Sequence, residues 1–167
     1  MNRFIVIILF TPLLIFSQND TQEITFNEGW SIFSTYIVPD ENSLENVFSS
    51  IIDDIVIIKD QNGNVYWPEY NLNSIGNLTI GSAYQIKLNS TQTLVINGTK
   101  VNCNNVITLN EGWNLIGYLQ SINTQIELQF SSIQEYLIII KDGDGNVYWP
   151  QYSINTIIDL EPGKGYQ

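Results

Sequence analysis

The sequence predicts a β-dominated α+β protein: two tandem copies of a small antiparallel-sheet module, each with one short helix, the second copy incomplete. Three observations carry this. Residues 57–68 read IIKDQNGNVYWP and residues 139–150 read IIKDGDGNVYWP, an offset of 82 that marks a tandem repeat. The match extends outward: FSSI at 48–51 recurs at 130–133, and Tyr70, Asn73, Ile75, Leu78, Gly81, Tyr84 and Gln85 recur as Tyr152, Asn155, Ile157, Leu160, Gly163, Tyr166 and Gln167. Short apolar and β-branched runs are separated by Asn-Gly and Asp-Gly turns, with one stretch of helical spacing per copy.

Residues 1–17 read as an export signal: Arg3, then an apolar run from Phe4 to Phe16, then the small Ser17. Thirteen apolar residues are too few to span a bilayer. Residues 18–22 form a short linker, 23–103 the first module and 104–167 the incomplete second. Removing the signal leaves five Lys against seventeen Asp plus Glu, a formal charge of −12. Such acidity repels phosphate backbones and anionic lipid surfaces, so nucleic acid is not an expected partner. No membrane span is expected in the mature chain. With 44% apolar residues, each module can bury a small core, and a neighbour would help it.

Within the first module, residues 24–37 alternate apolar and polar on either side of Asn27-Glu28-Gly29, which suggests a hairpin or a bent strand. After Pro39, Asn42 or Ser43 caps a helix whose apolar stripe is Leu44, Val47, Phe48, Ile51 and Ile52. The second copy keeps Ile126, Phe130 and Ile133 but places Gln129 and Gln134 on that stripe. Residues 55–58 and 137–140 are apolar throughout and read as central strands covered on both faces. Asn62-Gly63 and Asp144-Gly145 turn each of them into the strand carrying Tyr-Trp-Pro. Residues 83–88 and 93–96 read as a closing hairpin. The second copy stops at Gly165-Tyr166-Gln167, where the first continues through Ile86-Lys87-Leu88. That predicts a fragment of a longer protein, or a module completed by a strand from another molecule. The single Cys103 has no partner in the chain and is expected as a buried free thiol, a pair with an equivalent beyond position 167 being the alternative.

As a set, EGWNLIGY at 111–118, IIIKDGDGNVYWPQY at 138–152 and LEPGKGYQ at 160–167 resemble a repeat of exported and surface proteins of marine Bacteroidota. The resemblance implies an extracellular module, often within longer proteins exported by the type IX route, with no assigned catalytic activity. The first copy departs from it at Ser31, Phe33 and Ser34, and at Ser82-Ala83. No C-terminal sorting domain is visible.

Candidate chemistry is sparse. Asp60, Asn62 and Asn64, matched by Asp142, Asp144 and Asn146, offer oxygens at alternate positions, as calcium loops do. The sixth-position glycine and twelfth-position carboxylate of an EF-hand are missing, so side-chain-stabilised turns are the plainer reading. In Tyr66-Trp67 and Tyr148-Trp149, adjacent residues on a strand face opposite ways. One ring of each pair should enter the core while the other could stack on a sugar or anchor a protein. The plainer alternative has both rings packed, Trp67 on the helix and Tyr66 on the neighbouring module. Trp30 and Trp113 read as core residues. With no His there is no Ser-His or Cys-His pair and no His-ligated zinc. Carboxylates such as Glu28, Asp60 and Glu69 could form a glycosidase pair, but Glu69 becomes Gln151 in the second copy. Gly81 and Gly163 lack the strand-to-helix setting of a phosphate loop and read as turn glycines. The expected function is therefore a non-catalytic extracellular spacer whose partners are neighbouring modules, needing no cofactor. The alternative is a glycan- or protein-binding module.

Overall fold

A computed structural model describes residues 19–102 and 105–167. The export signal, the first linker residue and Cys103 lie outside the described residues. The fold is β-dominated, with antiparallel sheets and few, short helices.

The first half contains β1 (Asp20–Phe26), β2 (Gly29–Phe33), β3 (Ile37–Pro39), the one-turn helix α1 (Leu44–Val47), β4 (Ile55–Lys59), β5 (Val65–Trp67), β6 (Leu72–Asn73), β7 (Tyr84–Leu88) and β8 (Gln92–Lys100). They form two sheets, ordered β1-β8-β3 and β2-β7-β4-β5-β6. β1 starts inside the stretch read as a linker. There the buried Gln22 accepts hydrogen bonds through Oε1 from Thr35 Oγ1 at 2.8 Å and from the Tyr36 amide at 3.0 Å.

At the sheet crossings one sequence alternative holds and one expectation changes. The bent strand holds for β1 and β2, which pass from one sheet to the other at Asn27-Glu28-Gly29, but not as far as residue 37, because the chain leaves β2 after Phe33 and returns to the first sheet as β3. Residues 83–96 are not a hairpin, because β7 is already flanked by β2 and β4 and has no free edge for β8. β8 instead crosses over and lies between β1 and β3. The crossing lets Ile86 and Leu88 enter the same core from one sheet as Leu94 and Ile96 enter it from the other. β4 is the central strand its composition suggested.

The helical stripe also changes. Ser43 caps α1 by accepting the Asn46 amide at 3.3 Å, yet the helix ends after one turn. Ser49 Oγ donates to the Asn46 carbonyl at 2.8 Å, the local side-chain bonding that competes with helix propagation. Leu44, Phe48 and Ile51 are nevertheless buried. At the core's centre, Phe33 meets Phe26 and Phe48 edge-on at 5.4 and 5.5 Å and stacks on Tyr84 at 5.6 Å.

The second half contains β9 (Ile116–Gly117), β10 (Thr124–Gln125), α2 (Ile126–Gln129), β11 (Ile140–Lys141), β12 (Val147–Trp149), β13 (Ile154–Asn155), β14 (Asp159–Leu160) and β15 (Gly165–Tyr166). Its core gathers Tyr118, Ile126, Phe130, Ile140, Tyr148 and Tyr166 among others. Of the predicted central strand at 137–140, only Ile140 is paired.

Several local bonds recur 82 residues apart. Val65 N donates to Ser74 Oγ and Val147 N to Thr156 Oγ1, both at 2.8 Å. The Tyr84 hydroxyl accepts the Thr79 amide and the Tyr166 hydroxyl the Glu161 amide, also both at 2.8 Å.

The two halves meet through a reciprocal contact. Ser34 N donates to the Gly163 carbonyl at 3.0 Å, and Gly117 N donates to the Gly81 carbonyl at 2.9 Å. Phe33 bridges to Lys164, and Ile116 bridges to Ser82. Each half thus offers the end of its Gly-Trp strand to the start of the other's Gly-Tyr or Ala-Tyr strand. The backbones approach so closely that a Cβ on Gly165 would sit 2.5 Å from Ala83 Cβ and 2.9 Å from the Phe33 carbonyl oxygen. On Gly117 it would meet the Ser82 carbonyl oxygen at 2.9 Å.

Candidate functional site

Strand alternation assembles the candidate surface. Ile58, Tyr66 and Ile86 point into the core, so Lys59, Trp67 and Lys87 lie on the opposite face of the same sheet. Counting back from buried Phe33 puts Trp30 there too.

Tyr66 and Tyr148 are the inward members of their pairs. Tyr66 joins the core of its own half, not a face against the neighbouring one. Burial, seconded by the nearby carboxylates of Glu45 and Glu127, holds both hydroxyls above the ordinary tyrosine range. Trp67 and Trp149 are half-buried, and each indole N–H is enclosed without a hydrogen-bond acceptor. Each indole is edge-on to a tyrosine three residues further along: Tyr70 at 4.7 Å and Tyr152 at 4.6 Å. The 3-10 turns Pro68–Tyr70 and Pro150–Tyr152 create this pairing by folding the chain back immediately after the strand. Tyr70 and Tyr152 are 64% and 59% exposed, so the most accessible ring of each hairpin is the tyrosine.

Trp30 and Trp113 are not core residues: they are 48% and 54% exposed. Lys59 Nζ lies 4.8 Å from the Trp30 ring centre and Lys141 Nζ 4.9 Å from that of Trp113, within cation–π range. The Gly-Trp pairing suggested burial, but the spacing from Trp30 to Phe33 is odd. On a strand that places the two on opposite faces.

The calcium candidates form two turns. Asp60 Oδ1 accepts the Asn62 and Asn64 amides, each at 2.8 Å, and Oδ2 accepts Asn64 Nδ2 at 2.7 Å. Asp142 does the same for the Asp144 and Asn146 amides at 2.9 and 2.8 Å and for Asn146 Nδ2 at 2.8 Å. Gly63 and Gly145 take the left-handed conformation that closes each turn, with φ of 84° and 88°. The carboxylate oxygens are thereby committed to donors of their own turn. Among the described residues, no three Asp, Glu, Cys or His side chains converge on a common point.

These turns also reach across to the other half. The Leu115 amide donates to Gln61 Oε1, and a Cβ on Gly143 would lie 2.7 Å from the Ile32 amide nitrogen. Lys164 Nζ joins Asp144 at 3.1 Å and Glu161 at 3.0 Å. Partial burial pulls the Lys164 ammonium down, but the hydrogen bonds it donates to the Glu161 and Asp144 carboxylates outweigh this and hold the group above its ordinary range.

Tyr166 lies at the junction of the contact and the second core, and burial pushes its hydroxyl from 10.0 up to about 12. An unfolded chain ionises near 10, so this group's stabilisation is complete below pH 10 and is lost as pH rises to 12. Linkage at about 1.4 kcal/mol per pH unit makes that loss about 2–3 kcal/mol. Alkaline unfolding followed by circular dichroism should therefore steepen above pH 10, with part of the phenolate absorbance appearing only on unfolding. Nine tyrosines titrating together near pH 10 in the folded protein would contradict this.

Among the described residues, no helix is long and apolar enough to cross a membrane. No protein-family model, curated protein or solved structure matches the chain.

Proposed function

We propose that the chain comprises two copies of a small extracellular module joined as a rigid pair, and that it serves as a non-catalytic spacer in a larger exported or cell-surface protein. The observation that carries this reading is the reciprocal contact. The turns that could have held a ligand use their carboxylates on their own amides, and their tips press on the other half. The export signal read at 1–17 and the resemblance to a surface repeat of marine Bacteroidota support the same setting. The partners are then other modules of the same polypeptide.

A second reading, glycan or protein binding, draws on a specific observation: each half exposes a Trp with a Lys beside it and a Tyr beside the half-buried Trp of its hairpin. Glycan-array screening, with and without calcium, separates the two readings. The spacer predicts no saturable signal. A signal abolished by replacing Trp30 and Tyr70, or Trp113 and Tyr152, with alanine would overturn the spacer in favour of binding. In a Trp30→Phe, Trp113→Phe double variant, the remaining Trp67 and Trp149 emission should be blue-shifted and resist iodide quenching. Strong quenching would instead favour a ligand-accessible hairpin.

A further inference from the structure

The sequence places Asn directly before Gly twice, at Asn62-Gly63 and at Asn97-Gly98. In this dipeptide the backbone nitrogen of the glycine has no side chain beside it to hinder attack on the Cγ of the preceding asparagine. The fold gives the two sites opposite settings.

Asn97 and Gly98 lie within β8, the middle strand of its sheet, where Asn97 faces Thr21 and Gly98 faces Asp20 on one side and Pro39 on the other. The Asn97 carboxamide oxygen accepts the Thr21 hydroxyl at 2.8 Å, and the Asn97 carbonyl accepts the Asp40 amide at 3.2 Å. A Cβ on Gly98 would lie 2.0 Å from the Val38 carbonyl oxygen. The Gly98 nitrogen cannot reach Asn97 Cγ there unless the strand first opens.

Asn62 and Gly63 are exposed at the tip of the first turn, and a Cβ on Gly63 would meet nothing within 4 Å. Asp60 Oδ1 takes the Asn62 and Asn64 amides and passes over the one between them. The Gly63 N–H reaches only the Asp60 carbonyl, at 3.4 Å, longer than a normal bond of this kind. Among the described residues, the Asn62 carboxamide has no hydrogen-bond partner.

We infer that Asn62 is a site of spontaneous covalent modification. The Gly63 nitrogen attacks Asn62 Cγ, a C–N bond forms while the bond from Cγ to the side-chain nitrogen breaks, and ammonia leaves with the proton given up by Gly63. Water then opens the five-membered imide at either carbonyl. One opening yields aspartate at position 62. The other yields an isoaspartyl link, in which the main chain runs through the former side chain and is one carbon longer.

The two products differ in consequence. The second copy already carries Asp144 at this place, and its amide still donates to Asp142 Oδ1 at 2.9 Å, so aspartate fits the turn. The isoaspartyl product does not. Its longer main chain separates the two amides that Asp60 holds together, and displaces Gln61, whose Oε1 accepts the Leu115 amide of the other half. Asp144-Gly145 is protected by chemistry, because a carboxylate paired with Lys164 is a far poorer electrophile than a carboxamide.

The test incubates the full chain at neutral pH, folded and in parallel unfolded in urea, and follows both dipeptides by peptide mass spectrometry, each event adding about one dalton. In the folded chain Asn62 should convert at least about tenfold faster than Asn97, and in urea the two should agree within about threefold. The isoaspartyl fraction, separated by chromatography, should melt at least about 3 °C below the parent. Asn62→Asp should melt with the parent. Equal rates at the two sites in the folded chain, conversion of Asn62 only in urea, or an isoaspartyl fraction that melts with the parent would each overturn the inference.

Discussion

Replacing Gly165 with valine is expected to lower stability by about 3 kcal/mol or more, the upper range for overpacking a close contact. The first added carbon already lies 2.5 Å from Ala83 Cβ, 2.8 Å from Ile32 Cγ2 and 2.9 Å from the Phe33 carbonyl oxygen. Of these only Ile32 Cγ2 belongs to a side chain that can rotate aside, since Ala83 Cβ moves only with its own backbone. The backbone of β2 must therefore retreat, which breaks the Phe33–Lys164 bridge and the Ser34 hydrogen bonds to Gly163 and Lys164. For a chain of this size that loss corresponds to a fall of roughly 6–12 °C in Tm. A double-mutant cycle makes the assignment specific. The milder Gly165→Ala should be partly rescued by Ala83→Gly, with a coupling of at least about 0.5 kcal/mol. A Gly165→Val protein that melts within a degree of the parent would mean that the two halves do not meet as described.

Asp142→Ala should cost about 2–4 kcal/mol, because the carboxylate of this buried residue serves three donors, two of them backbone amides. The equivalent Asp60→Ala should cost less, since Asp60 is more accessible to water that can replace the lost acceptors. Asp142→Asn, which keeps one acceptor oxygen, should fall between the parent and the alanine variant. Thermal melts with calcium and with a chelator separate this from a metal role. A self-sufficient turn melts at the same temperature in both. A calcium-held turn loses stability on chelation, and Asp142→Ala would remove that difference.

Local grammar was the most legible part of this chain. The turns at Asn62-Gly63 and Asp144-Gly145, the central position of β4 and the inward-outward split of Tyr66 and Trp67 follow from dipeptide chemistry and a two-residue period. Long-range choices were not legible. Whether β8 pairs with β7 depends on whether β2 and β4 already occupy both edges of β7, a fact of assembly. The short helix reflects a competing bond from Ser49 that leaves the apolar spacing unchanged, so the stripe survives while the helix does not. Trp30 and Trp113 were readable in principle, because alternation from Phe33 puts Trp30 outside, but the apolar character of tryptophan argued for the core. The exposed rings of Tyr70 and Tyr152 depend on a 3-10 turn after each Trp-Pro, and the conserved local spacing alone does not reveal how the turned-back ring will lie. The junction of the halves left almost no trace in sequence, since its main requirement is the absence of side chains at Gly117 and Gly165.

The junction also limits how such chains can be lengthened. Each half contributes the same two surfaces, and each surface is consumed by its counterpart, so the contact closes on itself. If the chain is the two-module spacer proposed above, a third module could not join the pair by repeating this interaction. An elongated form would then grow in twos, and the connecting segments would set its extension and stiffness.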